Sequence, residues 1–228
     1  MSAVPDNPAA MFSAVAARAA EVRRRIDAVA EGRSVRVVAV TKGFGADAVE
    51  AAVAAGLTSV GENYAQELVA KAAAGAGGAA VKWHFIGAVQ RNKVARMAPF
   101  VSVWQTVDRA SVADAIGRHS PGATALVQVN LTGAPQRAGC AWDDVDAVVG
   151  AARDAGLTVV GLMGIGPEGP PQPALFRRLA RTVADLGLAE CSMGMSGDYE
   201  IAVAEGSTMV RLGTVLFGPR PARADLRR

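Results

Sequence analysis

The feature that most constrains the fold of this chain is a repeated alternation of short apolar runs with alanine-rich stretches of helical periodicity. Runs rich in Val, Ile, Leu and Thr occur eight times. Strands of a parallel sheet are buried on both faces, so they are nearly continuous apolar runs with helices between them. We therefore predict strands over residues 35–41, 57–61, 82–87, 101–107, 124–130, 157–165, 188–194 and 208–218.

Helical stretches fill the seven gaps between these strands, and an amphipathic stretch over 11–30 precedes the first. This pattern predicts a single (β/α)8 barrel of the TIM type with an additional N-terminal helix. At 228 residues the chain fits one domain, 1–228, with flexible tails over 1–10 and 219–228. An open doubly wound sheet is the alternative. That fold carries a glycine-rich turn after its first strand, whereas TKGFGAD lacks the third glycine of a dinucleotide fingerprint.

Charge and cysteine content exclude several classes of function. The segment 218–228 holds four Arg and one Asp, which accounts for the whole formal charge of +3. The rest of the chain is therefore neutral, and we expect neither nucleic acid nor a membrane as a partner. Cys140 and Cys191 stand apart from any Cys or His cluster, which argues against a metal site or a disulfide framework. Charged residues interrupt the first helix, so we expect no signal peptide and a cytoplasmic protein.

Lys42 is the first candidate for chemistry, because functional side chains of such barrels come from the carboxyl ends of the strands. It follows VRVVAVT directly, whereas the other three lysines belong to helices or begin a strand. Partial desolvation there would favour the neutral amine that forms a Schiff base. The alternative is an ordinary solvated lysine.

The loops after the seventh and eighth strands, SMGMSGD and VRLGT, offer small residues and hydroxyls suited to a phosphate. Ser196 and Gly197 precede a helix, and Gly213 and Thr214 are predicted in the last strand. Ordinary capping and turn formation are the alternative for these residues. Arg211, in an apolar strand, needs either a ligand or a structural ion pair.

Other polar residues have weaker signals. Asn63, after the second strand, caps a helix or reaches a ligand. His84, within the third strand, is more typical of a hydrogen-bonded core residue than of a catalyst. Met163 fills the core or lines a cofactor cavity. Glu50, Glu67 and the acidic group at 143–146 have helical spacing, which predicts solvated helix faces.

Six segments together resemble the pyridoxal phosphate homeostasis protein family: VAVTK, GENYAQE, KWHFIGAVQRNK, GLMGI, SMGMSGD and GSTMVRLGTVLFG. The resemblance covers about four-fifths of the chain, from 35 to 220. It implies a barrel like the N-terminal domain of alanine racemase, with pyridoxal 5′-phosphate (PLP) as cofactor. One departure is the turn GFGAD after the lysine, where many members have a turn containing Thr or Pro.

The resemblance also implies roles for individual residues. Lys42 matches the family lysine that holds the cofactor as an internal aldimine, and Arg211 matches the arginine that faces the pyridine nitrogen. Phosphate-binding positions match Ser196, Gly197, Gly213 and Thr214. Positions near the cofactor match Asn63, His84 and Met163.

Three functions follow from these observations. The resemblance implies a PLP-binding protein that stores, buffers or delivers the cofactor inside the cell, as a monomer and not as an enzyme, with PLP-dependent apoenzymes as recipients. A PLP-dependent amino-acid racemase is the second hypothesis, but Tyr64 and Tyr199, the only tyrosines, lie early in helices and have no evident role as the second base. The third is a barrel that binds another phosphorylated metabolite.

Overall fold

Eight parallel strands close into a barrel in chain order, and β1 pairs with both β2 and β8. A computed structural model describes residues 8–220 of the chain. The strands are β1 (Arg36–Val40), β2 (Ser59–Glu62), β3 (Lys82–Phe85), β4 (Val101–Val107), β5 (Thr124–Val129), β6 (Thr158–Gly164), β7 (Glu190–Ser192) and β8 (Met209–Leu212). The predicted (β/α)8 barrel is confirmed.

Nine helices surround the strands within the described residues, one before the first strand and the others after successive strands. They are α1 (Pro8–Val29), α2 (Ala46–Ala54), α3 (Ala65–Ala73), α4 (Val94–Met97), α5 (Ala110–His119), α6 (Val145–Asp154), α7 (Pro173–Asp185), α8 (Tyr199–Ala204) and α9 (Thr214–Phe217). Single 3₁₀ turns occur at Gly78–Ala80, Arg91–Lys93 and Trp142–Asp144. The α1 helix is the predicted addition before the first strand.

The amphipathic α1 packs against α2, α8 and α9. Its buried residues Met11, Val15, Val22 and Ile26 recur at helical spacing and therefore share one face. They join a hydrophobic cluster with the β1 and β8 side of the barrel. Within residues 8–220 no helix is long and apolar enough to cross a membrane.

The expected tails fall largely outside the described residues. Residues 1–7 and 221–228, which include most of the basic C-terminal segment, are not described by the structure. Residues 8–10, expected in the N-terminal tail, form the first turn of α1.

The largest difference from prediction is at the end of the chain, where a strand over 208–218 was expected. The strand β8 ends at Leu212, and residues 214–217 form α9. The other predicted strand boundaries differ by at most two residues. An apolar run has no periodicity that separates a buried strand from a short buried helix, so the turn at Gly213 was missed.

Both cysteines are free and buried. Burial raises the pKa of the Cys140 thiol to about 11 and that of Cys191 to about 12. Both thiols therefore stay protonated and unreactive at neutral pH.

Candidate functional site

Lys42 lies just beyond β1, at the carboxyl end of the barrel. Gly43 has a φ of 75°, a left-handed conformation that favours glycine, and the Phe44 N–H donates to the Thr41 carbonyl at 3.1 Å. The Lys42 side chain is half-buried in this turn. Burial lowers the pKa of its amine below the ordinary value, and the charges of Arg220 and Arg211 lower it further. A lowered pKa increases the fraction of neutral, nucleophilic amine.

The Lys42 side chain borders a cavity of about 310 Å³ formed by the ends of several strands. Seven of the nine predicted site residues line it: Lys42, Asn63, Ser196, Gly197, Arg211, Gly213 and Thr214. The remaining lining residues are Val40, Phe44, Ile86, Ile165, Met195 and Arg220. Among the described residues that line the cavity, the ionisable side chains are Lys42, Arg211 and Arg220, and no carboxylate joins them, which favours an anionic ligand. The volume is at the lower end of the range for small-molecule sites.

The loops after β7 and β8 form one wall of the cavity. The Val215 N–H donates to Ser196 Oγ at 3.3 Å and so joins the two loops. The prediction that Gly213 and Thr214 lie in the last strand is wrong, because Gly213 is the N-cap of α9 and Thr214 its first residue. The Val215 N–H is occupied by Ser196 and the Leu216 N–H by the Gly213 carbonyl, so the hydroxyls of Ser196 and Thr214 are the donors on this wall that suit phosphate oxygens.

A chain of buried polar side chains leads from Arg211, which lines the cavity, into the interior of the barrel. The Arg211 guanidinium donates to the carbonyl and Oγ of Ser192 and to the Gly164 carbonyl, each at 2.8 Å. Ser192 Oγ donates to Gln105 Oε1 at 2.7 Å, and Gln105 Nε2 lies 2.8 Å from His84 Nδ1. We call Arg211, Ser192, Gln105 and His84 the floor layer.

The floor layer holds Arg211 by neutral oxygens, although an ion pair was the structural alternative considered from the sequence. Burial lowers the pKa of Arg211 to about 10, which leaves it charged at neutral pH. Three hydrogen bonds fix the guanidinium in one orientation, so the charge that it presents to the cavity is also fixed in place.

Two predicted site residues do not line the cavity. His84 is 1% exposed and belongs to the floor layer, where burial lowers its pKa to about 3 and keeps the ring neutral. Met163 is fully buried and pairs with Ser192 in the register of β6 and β7. Neither Gln105 nor Ser192 was anticipated. Their only signal in the sequence is a polar residue inside an apolar strand.

Asn63 lines the cavity, and the loop after β3 passes very close to its backbone. A Cβ atom on Gly87 would overlap the Asn63 carbonyl oxygen, so this position accommodates only glycine without a shift. Thr106 Oγ1 donates to the Gly87 carbonyl at 2.6 Å and holds the loop from the other side. The backbone of Asn63 is thereby fixed.

The structure also places charged residues under the Lys42 turn that sequence reasoning missed. Glu67 was predicted on a solvated helix face. That prediction is wrong, because Glu67 Oε2 accepts a hydrogen bond from the Gly43 N–H at 2.7 Å. Glu50 and the acidic residues at 143, 144 and 146 are exposed, as predicted. Arg220, near the end of the described chain, was not anticipated either, although it lines the cavity.

Comparisons with known proteins identify the family of this chain. The family described as alanine racemase, N-terminal domain, matches residues 13–221. A pyridoxal phosphate homeostasis protein from Pseudomonas aeruginosa is 40% identical over 92% of this chain and 97% of its own length. PipY from Synechococcus elongatus, solved with PLP bound, is 32% identical with a TM-score of 0.79 and covers 90% of this chain and 100% of its own.

Alanine racemase from Corynebacterium glutamicum shares only the fold. It is 17% identical with a TM-score of 0.68, over 93% of this chain and 62% of the racemase. The match to the family over residues 13–221 and the close relatives of nearly equal length lead to one assignment. This chain belongs to the pyridoxal phosphate homeostasis protein family, whose barrel is of the alanine racemase N-terminal type.

Proposed function

We propose that this chain binds PLP covalently through Lys42 and serves in intracellular PLP homeostasis by storing, buffering or delivering the cofactor. The observation that carries the proposal is the half-buried Lys42 amine, with its lowered pKa, in a cavity that two arginines line and that no carboxylate of residues 8–220 lines. An aldehyde that also bears a phosphate dianion matches both properties of this cavity.

The residues present fit each part of PLP. The Lys42 amine would hold PLP at its aldehyde carbon, since burial and the lowered pKa keep a larger fraction of that amine neutral and nucleophilic. The hydroxyls of Ser196 and Thr214 suit the phosphate. The charged Arg211 suits the pyridine nitrogen and disfavours its protonation. Bound PLP supplies an electron sink, and an unprotonated ring nitrogen weakens that sink.

The cavity favours binding without catalysis. Racemisation needs an acid or base on each face of the substrate. Within residues 8–220, the titratable side chains that line the cavity are Lys42, Arg211 and Arg220, and no tyrosine, histidine or carboxylate joins them. Tyr64 is exposed outside the cavity, and Tyr199 is 3% exposed against α1. We therefore favour a homeostasis protein over a racemase.

Delivery requires recipients, and we propose that PLP-dependent apoenzymes in the cytoplasm take the cofactor from a monomeric form of this protein. The name of the Pseudomonas aeruginosa relative supports a role in homeostasis. The position of Lys42 at the open end of the barrel supports exchange without unfolding.

The test is an absorption spectrum of the purified protein with added PLP, before and after borohydride reduction, followed by peptide mass mapping. The chain has four lysines, and the peptide masses identify which of them carries the pyridoxyl group. We expect one pyridoxyl group on Lys42, complete loss of the adduct in Lys42→Ala, and retention in Lys82→Ala, whose lysine is exposed at the start of β3.

Three results would contradict the proposal. An adduct that persists in Lys42→Ala would assign the chemistry to another lysine. Retained affinity for phosphate compounds with no adduct in the native chain would favour the barrel for another phosphorylated metabolite. Sustained conversion of L-alanine to the D form would establish the racemase instead.

A further inference from the structure

A cluster of buried charges lies beneath the Lys42 turn, outside the cavity lining. Glu62, the last residue of β2, is fully buried, and Lys71 of α3 is 7% exposed. Lys71 Nζ lies 2.6 Å from Glu62 Oε1 and 3.7 Å from Glu67 Oε2. We call Thr41, Glu62, Glu67 and Lys71 the turn clamp.

The turn clamp holds the chain on both sides of Lys42. On one side, Thr41 Oγ1 donates to Glu62 Oε1 at 2.6 Å, and Lys71 Nζ donates to the Thr41 carbonyl at 2.9 Å. On the other side, the Gly43 N–H donates to Glu67 Oε2 at 2.7 Å. Side chains from β2 and α3 thus fix both neighbours of a residue that itself projects into the cavity.

Stability alone does not account for these charges. A buried ion pair gives up its hydration, and apolar residues of similar volume often stabilise a fold as well or better. The Glu62 carboxylate also has one buried oxygen, Oε2, without a hydrogen-bond partner in the described part of the chain. Burial raises the pKa of Glu62, although the Lys71 charge opposes the rise. Apolar residues could not supply the hydrogen bonds that these charged side chains form with Thr41 and Gly43.

We propose that Glu67, supported by the Glu62–Lys71 pair, is a positioning residue for Lys42: it holds the turn so that the amine enters the cavity in the direction required to reach an aldehyde carbon. This inference rests on the proposed function, because it concerns the same amine. Glu67 touches the backbone of the turn and does not line the cavity, so it acts through Lys42.

The charge of the clamp has a second, separable effect. Glu62 and Glu67 raise the pKa of Lys42 against the larger effects of burial, Arg220 and Arg211. Removal of the Glu67 charge therefore increases the fraction of neutral amine at neutral pH. Removal of its hydrogen bond to Gly43 loosens the turn. Glu67→Gln changes the charge and keeps an acceptor oxygen, whereas Glu67→Ala removes both.

The experiment measures two properties of the Lys42 amine in the folded chain, its pH profile and its orientation. Trace acetylation with acetic anhydride across pH 6 to 10, read by peptide mass spectrometry, gives the pH profile of the amine without PLP. The rate of adduct formation with PLP shows how well the Lys42 amine is oriented to reach an aldehyde carbon. Glu50→Gln removes a carboxylate from the exposed face of α2 and is the matched control. Glu67 is preferred to Glu62 as the target, because loss of Glu62 leaves Lys71 buried without its closest carboxylate.

In both Glu67 variants we expect the acetylation midpoint of Lys42 to move down by a few tenths of a pH unit, about a two- to threefold faster reaction below the midpoint. Glu67→Gln should form the PLP adduct at least as fast as the native chain. Glu67→Ala should form it at least about fivefold more slowly than the native chain, although its Lys42 amine reacts faster with acetic anhydride than that of the native chain. Simple destabilisation of the fold would not combine faster acetylation with slower formation of the PLP adduct.

A Glu67→Ala adduct rate equal to that of the native chain would overturn the positioning role. An acetylation profile in Glu67→Gln that coincides with that of Glu50→Gln would overturn the electrostatic part. Absence of any adduct in the native chain would instead refute the proposed function, and the acetylation profiles would still decide whether the clamp acts on Lys42.

Discussion

The two arginines of the cavity lie in contrasting surroundings. Arg211, on the floor, is 5% exposed and donates three hydrogen bonds to Ser192 and Gly164. Arg220, at the rim, is exposed and packs its aliphatic carbons beside Gly43. Both lower the pKa of Lys42, and Arg220 does so more strongly.

This contrast separates two tasks within one site. The floor layer is a closed network in which each side chain is held by the next, so a change there is expected to alter the stability of the fold. The rim is open to solvent, so a change there is expected to alter the chemistry of Lys42 with little effect on stability. The following predictions test that division.

The largest effect on stability is expected at Gly87, in the loop after β3, where the backbone lies against the backbone of Asn63 and belongs to neither the floor layer nor the exposed rim. Gly87→Ala places a Cβ atom on the Asn63 carbonyl, and the backbone has to shift. We expect a loss of about 3 kcal/mol in the free energy of unfolding, because overpacking against rigid backbone is at the upper end of its usual cost. Urea denaturation measures this loss.

Gly150→Ala is the matched control for that substitution. A Cβ atom on Gly150, within α6, meets no atom within 4 Å. Alanine favours the helix, so this variant should gain up to about 1 kcal/mol in stability. Equal effects of the two substitutions would mean that the close approach of Gly87 and Asn63 is not enforced in the folded protein.

The pH dependence of stability tests the floor layer at His84. Its pKa is about 3 in the folded state and about 6.5 when unfolded, so the unfolded chain binds the proton first. The contribution is fully present above pH 6.5 and is lost as the pH falls toward 3. Between pH 7 and pH 5 the native chain should lose about 2 kcal/mol from this residue, and His84→Asn should not.

Urea denaturation of both proteins at the two pH values provides the measurement. The comparison uses the difference between pH 7 and pH 5 within each protein, so any constant cost of the substitution cancels. Equal losses in the two proteins would mean that His84 is protonated in the folded state, and the closed floor layer would then be an incorrect description.

A smaller effect is expected at Ser192, which links Arg211 to Gln105. Ser192→Ala leaves Gln105 Oε1 without its donor but keeps the bond from Arg211 to the Ser192 carbonyl. We expect a loss of about 1 to 2 kcal/mol, the usual cost of an unsatisfied buried acceptor. Ser13→Ala, on the exposed side of α1, is the control and should change stability by less than about 0.5 kcal/mol. Equal stabilities of the two variants would contradict a cooperative floor.

The sequence predicts the barrel and the rim better than the floor and the clamp, for physical reasons. Strand number follows from apolar runs, and strand order follows from the short connections of successive βα units. Lys42 and the loops after β7 and β8 are recognisable because they lie where strands end. Glu67 has ordinary helical spacing, and only the three-dimensional position of α3 over the Lys42 turn shows that it binds Gly43.

The smallest effect on stability, and the sharpest test of the rim, is expected for Arg220→Gln. Arg220 is exposed, so the free energy of unfolding should change by less than about 0.5 kcal/mol. Its charge lowers the pKa of Lys42, so its loss raises that pKa. The acetylation midpoint of Lys42 should therefore rise by a few tenths of a pH unit, about a two- to threefold slower reaction below the midpoint.

This shift is opposite in sign to that expected for Glu67→Gln. The acetylation midpoint of the native chain should therefore lie between those of the two variants. Pyridoxal without its phosphate separates the two ways in which Arg220 could act on the cofactor. If Arg220 acts only through Lys42, adduct formation slows by the same factor for pyridoxal and for PLP. A larger decrease for PLP would mean that Arg220 also contacts the phosphate. A loss of stability as large as that of Ser192→Ala would place Arg220 with the floor and end the distinction between the two regions.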